Sequence, residues 1–419
     1  MLIPPDRVLS CLEAANIKPI GAFHVGAHEC EELSAYRSFG IPDERVVWVE
    51  ALPDKVEEAT RRGVPNVFQA VVSDEDDATI EFKRTNNGQS SSVLEFGTHA
   101  QSYAWCVVTE RTSMSTTTID TLMATKGLNP ADYNFWNFDI QGAELMALKG
   151  AERALRHVRA LYLEVNEEEV YRGCALIGEI DDFLRARGFR REITEMVQQG
   201  WGDALYVRIP LIFDIGANVG AYALANYRNG GTKVVSVEGS PVTYQALQVA
   251  VEGTSIDVLH YAVSNHAPSV VFHHCHGAHT LSTTDIAWLT SPESRFGNYG
   301  DTVESMLVPT ITLDALIERY WIPDIVKIDV EGAEDDVISS LTQKVPVVCF
   351  EWAAEWESKN VRAVELLVSL GFTKFHIQHG DSYTYTPPQM ELSHEHATSF
   401  LRERAERAAK VDWGMLWAT

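Results

Sequence analysis

The chain has 419 residues, 45% of them apolar and 22% charged, which is the composition of a globular protein of two or three domains and excludes a disordered chain. Acids outnumber bases 59 to 34, a formal net charge of −25, and both halves share the excess, so neither a nucleic acid nor an anionic membrane is expected as a partner. No apolar stretch approaches the roughly 20 residues of a membrane span. The N-terminus lacks a basic start followed by an apolar run, and the six cysteines form no CxxC pair, so reduced thiols and a cytoplasmic location are expected.

Taken in chain order, short β-branched runs alternate with helical stretches. A buried strand is predicted at Val46–Val49, a helix at Ala143–Leu155, a strand at Leu161–Leu163 and a helix at Ile177–Arg187. Two strands joined by a turn follow, Arg190–Met196 and Ala204–Ile209. The second half repeats the pattern, with strands at Val234–Val237 and Val345–Phe350 and a closing pair at Lys374–Gln378 and Met415–Ala418. This alternation predicts a doubly wound, mostly parallel sheet that ends in an antiparallel hairpin, the reversed strand at the sheet edge.

The halves are copies of one another. FHVGAHECEE at 23–32 matches FDIGANVGAY at 213–222, VVWVEALP at 46–53 matches VVSVEGSP at 234–241, and AVVSD at 70–74 matches AVSN at 262–265. TTTIDTL at 116–122 matches TITLDAL at 310–316, WNFDIQGAE at 136–144 matches VKIDVEGAE at 326–334, and ALYLEVN at 160–166 matches VVCFEWA at 347–353. One order and one spacing, of roughly 190 residues, mean a duplicated domain and not a solenoid of short repeats. The expected domains are residues 1–209 and 210–419, the second with an insertion near 380–410. That insertion includes Tyr383, Tyr385, Pro387, Pro388 and a charged helix near Ser393–Lys410; it reads as a surface excursion or as a lid.

In copy two, IFDIGANVG places Asp214 at a strand end before a glycine turn, Gly216-x-x-x-Gly220. Such a turn lets backbone amides at a helix start approach an anionic ligand. The spacing is not the G-x-G-x-x-G of dinucleotide folds, which disfavours an NAD oxidoreductase, and the acid ahead of the turn suits the cationic methionine end of S-adenosylmethionine. A tight turn without a ligand is the plain alternative. Glu238 ends the next strand, where an acid can hold ribose hydroxyls; Glu50 holds that place in copy one. Asp329 and Glu331 follow a strand end, and Glu351 and its counterpart Glu164 end the strand after it. These are candidates for general-base work on the substrate side, against structural ion pairs. Glu334 reads first as a helix-start acid. HHCH at 273–276, with His279, reads more readily as alternating strand residues than as a metal site, and no metal is expected. Trp105, Trp136, Trp288 and Trp356 could stack on sugar rings or simply fill cores.

DIGANVG, VEGSP, AVSN and KIDVEGAE in this order resemble the FkbM family of S-adenosylmethionine-dependent O-methyltransferases, and copy one looks like a divergent branch of it. The resemblance spans nearly the whole chain outside the insertion. It implies two class I Rossmann-like methyltransferase domains that use S-adenosylmethionine on a hydroxyl, often of a sugar or glycan. It also implies that Asp214, Gly216, Asn218 and Gly220 line the methionine end, that Glu238 holds the ribose, and that Ala262, Val263 and Ser264 lie near the adenine. The corresponding positions in copy one are His24, Gly26, His28, Glu50 and Ser73, with Asp139 and Glu164 as its catalytic candidates. Copy one departs from the pattern at His24, His28, Cys30 and Gln141, which replace Asp214, Asn218, Gly220 and Glu331. Three readings follow: two active domains, one active domain beside a substrate-binding or scaffolding copy, or a non-catalytic binding module.

Overall fold

The computed structural model describes residues 1–266, 268–380, 391–407 and 412–419, and Tyr383, Tyr385, Pro387, Pro388 and Lys410 lie outside them. The chain divides into two compact units, Met1–Ile209 and Pro210–Thr419.

Each unit is built on a seven-stranded sheet. In unit 1 the order across the sheet is 67–69, 46–50, 22–25, 135–138, 160–166, 201–208, 189–196. In unit 2 it is 257–260, 233–238, 211–215, 325–328, 347–353, 413–418, 375–379. Both are therefore 3-2-1-4-5-7-6 when the seven strands of each sheet are numbered in chain order. The seventh strand runs antiparallel to both neighbours. The reversed strand thus lies one place in from the edge, not at the edge as the sequence suggested, because the hairpin steps outward first and folds back into the gap.

The apolar runs are continuous because both faces of these strands are covered. In unit 1, Phe23, Val25, Val47 and Val49 pack into one core. Their chain neighbours Ala22, Val46 and Trp48 pack into the other, as the alternation of side chains along a strand requires. The predicted helix from Ala143 to Leu155 stops at Lys149. A Cβ on Gly150 would lie 2.1 Å from the Ser73 carbonyl oxygen, so the chain leaves the helix by passing against the loop after strand 71–72. In the insertion, helix His394–Glu406 sets Phe400 against the rings of Trp352 and His379.

Candidate active site

In unit 2 the first strand, Leu211–Ile215, runs into a turn that passes directly over the start of the segment after the fourth strand. A Cβ on Gly216 would lie 1.9 Å from the Asp329 carbonyl oxygen, and Gly216 has φ +71°, so only glycine fits. The next strand delivers Glu238, which accepts from the Asn218 N–H at 2.9 Å on one oxygen and the Ser240 N–H at 2.8 Å on the other. Each oxygen keeps a lone pair for a ligand hydroxyl. Burial pushes the Glu238 carboxyl up to about 7, against those two N–H donors.

Above this turn lies a cavity of about 480 Å³, at the carboxyl ends of the strands, where open α/β sheets bind ligands. Gly216, Asn218, Glu238, Ala262 and Val263 form part of its wall, and Asp329, Glu331 and Glu351 form another part. Three predicted residues are not on it. Gly220 starts the helix Ala221–Asn226. Ser264 is buried and donates to Asp336 at 2.6 Å. Asp214 is fully buried beneath the turn, its Oδ1 3.2 Å from Lys327 Nζ; burial raises its carboxyl and Lys327 pulls it back down. Lys327 also donates to the Gly216 carbonyl at 3.1 Å and sits 3.3 Å from Asp329. Sequence reasoning passed over Lys327, although a lysine inside the apolar run IVKI was the available signal.

The far wall is acidic. Asp329, Glu331 and Glu351 each offer a carboxylate oxygen, all within 4.8 Å of one another, the one such group among the described residues that could hold a cation. Burial, then the neighbouring carboxylates, push Glu331 and Glu351 well above the usual carboxylate range. Glu331 is held at φ +59°, a strained setting for a side-chain-bearing residue. Its neighbour Glu334 stands in the first turn of the next helix, as read from sequence, and its carboxylate accepts from the loop N–H groups of Val330 and Gly332. Arg295, Phe296, His279 and Trp413 also line the cavity, and no periodic pattern marks the first two in the sequence. Arg295 lies 3.7 Å from Glu351 and 3.5 Å from Glu355. His279 pairs with Asn218 Oδ1 at 2.9 Å. In HHCH, His273 meets Ser305, His274 meets Ser240 and His276 meets Glu304: three separate partners, not one convergent set.

Unit 1 repeats this frame with different contents. Glu50 accepts from His28 N–H at 2.7 Å and Leu52 N–H at 2.8 Å, as Glu238 does in unit 2. The Asp214–Lys327 ion pair is replaced by a different set, His24 Nδ1 2.6 Å from the Tyr36 hydroxyl, which also accepts from Asn137 at 2.8 Å, with Glu32 3.9 Å from the same His24 nitrogen. The cavity here is about 60 Å³; Gly26, His28, Glu50 and Asp139 line it, with Phe82, Gly88 and Val93. His24, Ser73 and Glu164 are not on it; Ser73 is buried and bonds Asp74. Gln141 stands in the place of Glu331 at φ +56°. Its amide donates to Asp139 at 2.6 Å and Glu164 at 2.7 Å and accepts from the Tyr171 hydroxyl.

A duplicated 3-2-1-4-5-7-6 sheet, with a glycine turn, an acid after the second strand and carboxylates after the fourth and fifth, defines a pair of Rossmann-like methyltransferase domains. The family model for the methyltransferase FkbM domain matches residues 24–191 and 214–406. The chain belongs to the FkbM methyltransferase family, with one domain in each unit. It is 29% identical over 143 residues to the hexuronic acid methyltransferase AglP of Haloferax volcanii, a match covering 33% of this chain and 53% of that protein. The chain thus spans about half the length of that curated relative. Among solved structures it resembles magnesium protoporphyrin IX methyltransferase from Synechocystis PCC 6803 with bound SAM (12% identity, 49% of this chain and 77% of that one, TM-score 0.27). It also resembles Aeropyrum pernix fibrillarin with S-adenosyl-L-methionine (10% identity, 54% and 82%, TM-score 0.26). No helix among the described residues is long and apolar enough to cross a membrane.

Proposed function

We propose that unit 2 transfers a methyl group from S-adenosylmethionine to a hydroxyl of a sugar or glycan, and that unit 1 performs no transfer. The observation that carries this reading is the contrast in space: about 480 Å³ beside Glu238 against about 60 Å³ beside Glu50. Only the first lies in the range of small-molecule sites. The residues of unit 2 fit the cofactor, since Glu238 has a spare lone pair on each oxygen for the ribose hydroxyls. The turn from Gly216 to Asn218 would face the methionine end, and Ala262 and Val263 the adenine. The cofactor, when bound, supplies a methyl group already activated by its sulfonium.

The work left to the protein is alignment and deprotonation. Positioning a hydroxyl in line with the activated methyl is worth several kcal/mol. The hydroxyl proton passes to Glu331, which Glu351 and Asp329 flank, while Lys327 and Arg295 favour the ionised form of the cluster. A sugar acceptor is supported by the relative that is a hexuronic acid methyltransferase. Six free cysteines support a cytoplasmic setting.

Incubating the protein with labelled cofactor and a panel of neutral and uronic-acid glycans, followed by mass spectrometry, should reveal an acceptor that gains one methyl. A panel that stays unmethylated while a non-sugar hydroxyl compound is labelled would remove the sugar reading. Calorimetric titration should give one cofactor per chain; two equivalent sites would show that unit 1 opens to accept it. The pH dependence has a definite sign. An acid whose affinity for its proton is raised holds that proton to higher pH than an ordinary carboxylic acid and acts as a base only after losing it. The rate should therefore climb as pH rises above the ordinary carboxylate range, and a flat profile from pH 5 to 9 would exclude the cluster as base.

A further inference from the structure

We propose that Lys327 is a positioning residue for the cofactor: its ammonium sets the turn that presents Glu238 and holds Asp329 on the other part of the wall, so that one buried cation shapes both sides of the cavity. The inference rests on the cofactor reading above and adds the group on which the form of that site depends.

Lys327 lies within the short apolar strand Ile325–Ile328, opposite Asp214 in the register of the two adjacent strands. Its side chain is 3% exposed and forms part of the cavity wall. A lysine buried to this extent has to be paired, and Asp214, 3.2 Å away, would be enough for that. The same ammonium nevertheless also donates to the Gly216 carbonyl at 3.1 Å and stands 3.3 Å from Asp329.

The Gly216 contact is the one that leads to the ligand. The N–H groups of Gly216 and Ala217 both donate to the Val237 carbonyl, at 3.0 and 3.1 Å. The turn is thus held on its N–H side by the second strand and on its carbonyl side by Lys327. One residue further on, Asn218 is held at φ +50° and its N–H donates to Glu238 at 2.9 Å. The carboxylate that would take the ribose hydroxyls is therefore aimed by a turn that Lys327 pins. Without the ammonium, the Gly216 carbonyl loses a charged donor and has to find another, which moves the peptide. Asp329, which flanks Glu331, loses its cation in the same step.

Unit 1 is an internal comparison. Asn137 holds the matching register place, opposite His24, and its amide donates to the Tyr36 hydroxyl at 2.8 Å. The copy without the lysine is the copy whose cavity is about 60 Å³.

The test uses the full chain and S-adenosylhomocysteine as the probe, titrated calorimetrically into wild type, Lys327→Met with Asp214→Asn, and Leu316→Ala. Leu316 is fully buried and is not among the cavity residues, so its truncation reports what a loss of core packing alone does. Hydrogen exchange is followed on the ligand-free chains at the peptide holding Gly216, Ala217 and Asn218. We expect the double variant to bind the probe roughly tenfold or more weakly, the usual effect of losing a hydrogen bond to a charged group, and to exchange faster at that peptide. Leu316→Ala should match wild type in both. Wild-type affinity in the double variant, unchanged exchange at the turn, or an equal loss in Leu316→Ala overturns this inference alone. A wild-type chain that does not bind the probe overturns it together with the proposed function.

Discussion

Replacing Glu331 with Gln should lower turnover by about 10²–10⁴-fold, the usual worth of a positioned general base, while cofactor affinity stays within a few-fold of wild type. The variant should fold, because unit 1 already carries glutamine at this point of the frame. Gln141 holds the same left-handed conformation, φ +56° against +59°, and bridges Asp139 and Glu164 by two short hydrogen bonds. In unit 2 the new amide would have Asp329 and Glu351 as the equivalent acceptors. The substitution thus removes the proton acceptor and leaves the local shape. Initial rates with calorimetric cofactor titration check both halves of the statement; unchanged turnover would move the base to Asp329 or Glu351.

Replacing Lys327 with Met should destabilise unit 2 by about 3–5 kcal/mol, the cost of leaving a buried charge without its partner. Asp214 is fully buried and Lys327 is 3% exposed, so water cannot take over. For a domain of this size the loss corresponds to a fall in melting temperature of roughly 10 °C. Adding Asp214→Asn should recover much of it, since the pair is then removed together. The deficit should also shrink in acid. Without Lys327 the folded Asp214 holds its proton to a higher pH than the unfolded chain does, so the folded state gains relative stability as pH falls. Calorimetry on the two variants across pH tests this, and a single variant that melts with wild type would show that the ion pair contributes little.

Much of this was legible in the chain. The duplication, the alternation of elements and the placing of Glu238, Asp329, Glu331 and Glu351 around one cavity follow from motif order, because strand ends are brought to a common edge by the fold itself. The place of Glu334 at a helix start also followed, though its bonds to the loop N–H groups of Val330 and Gly332 did not. What misled was depth. Asp214 reads as a ligand residue from its distance to Gly216, yet the strand buries it under the turn, and only Lys327 on the neighbouring strand explains why a charge is tolerated there. Arg295 and Phe296 lie in a segment without periodicity, and nothing short of the folded chain brings them to Glu351.

The sequence by itself determined the class of fold, its duplication and the family, since these rest on local patterns that repeat at fixed spacing along one chain. The tertiary structure decided which copy has room for a ligand and which acids face that room. Those properties depend on side chains from distant segments meeting in three dimensions, and their packing is set by volume and burial that no single segment encodes.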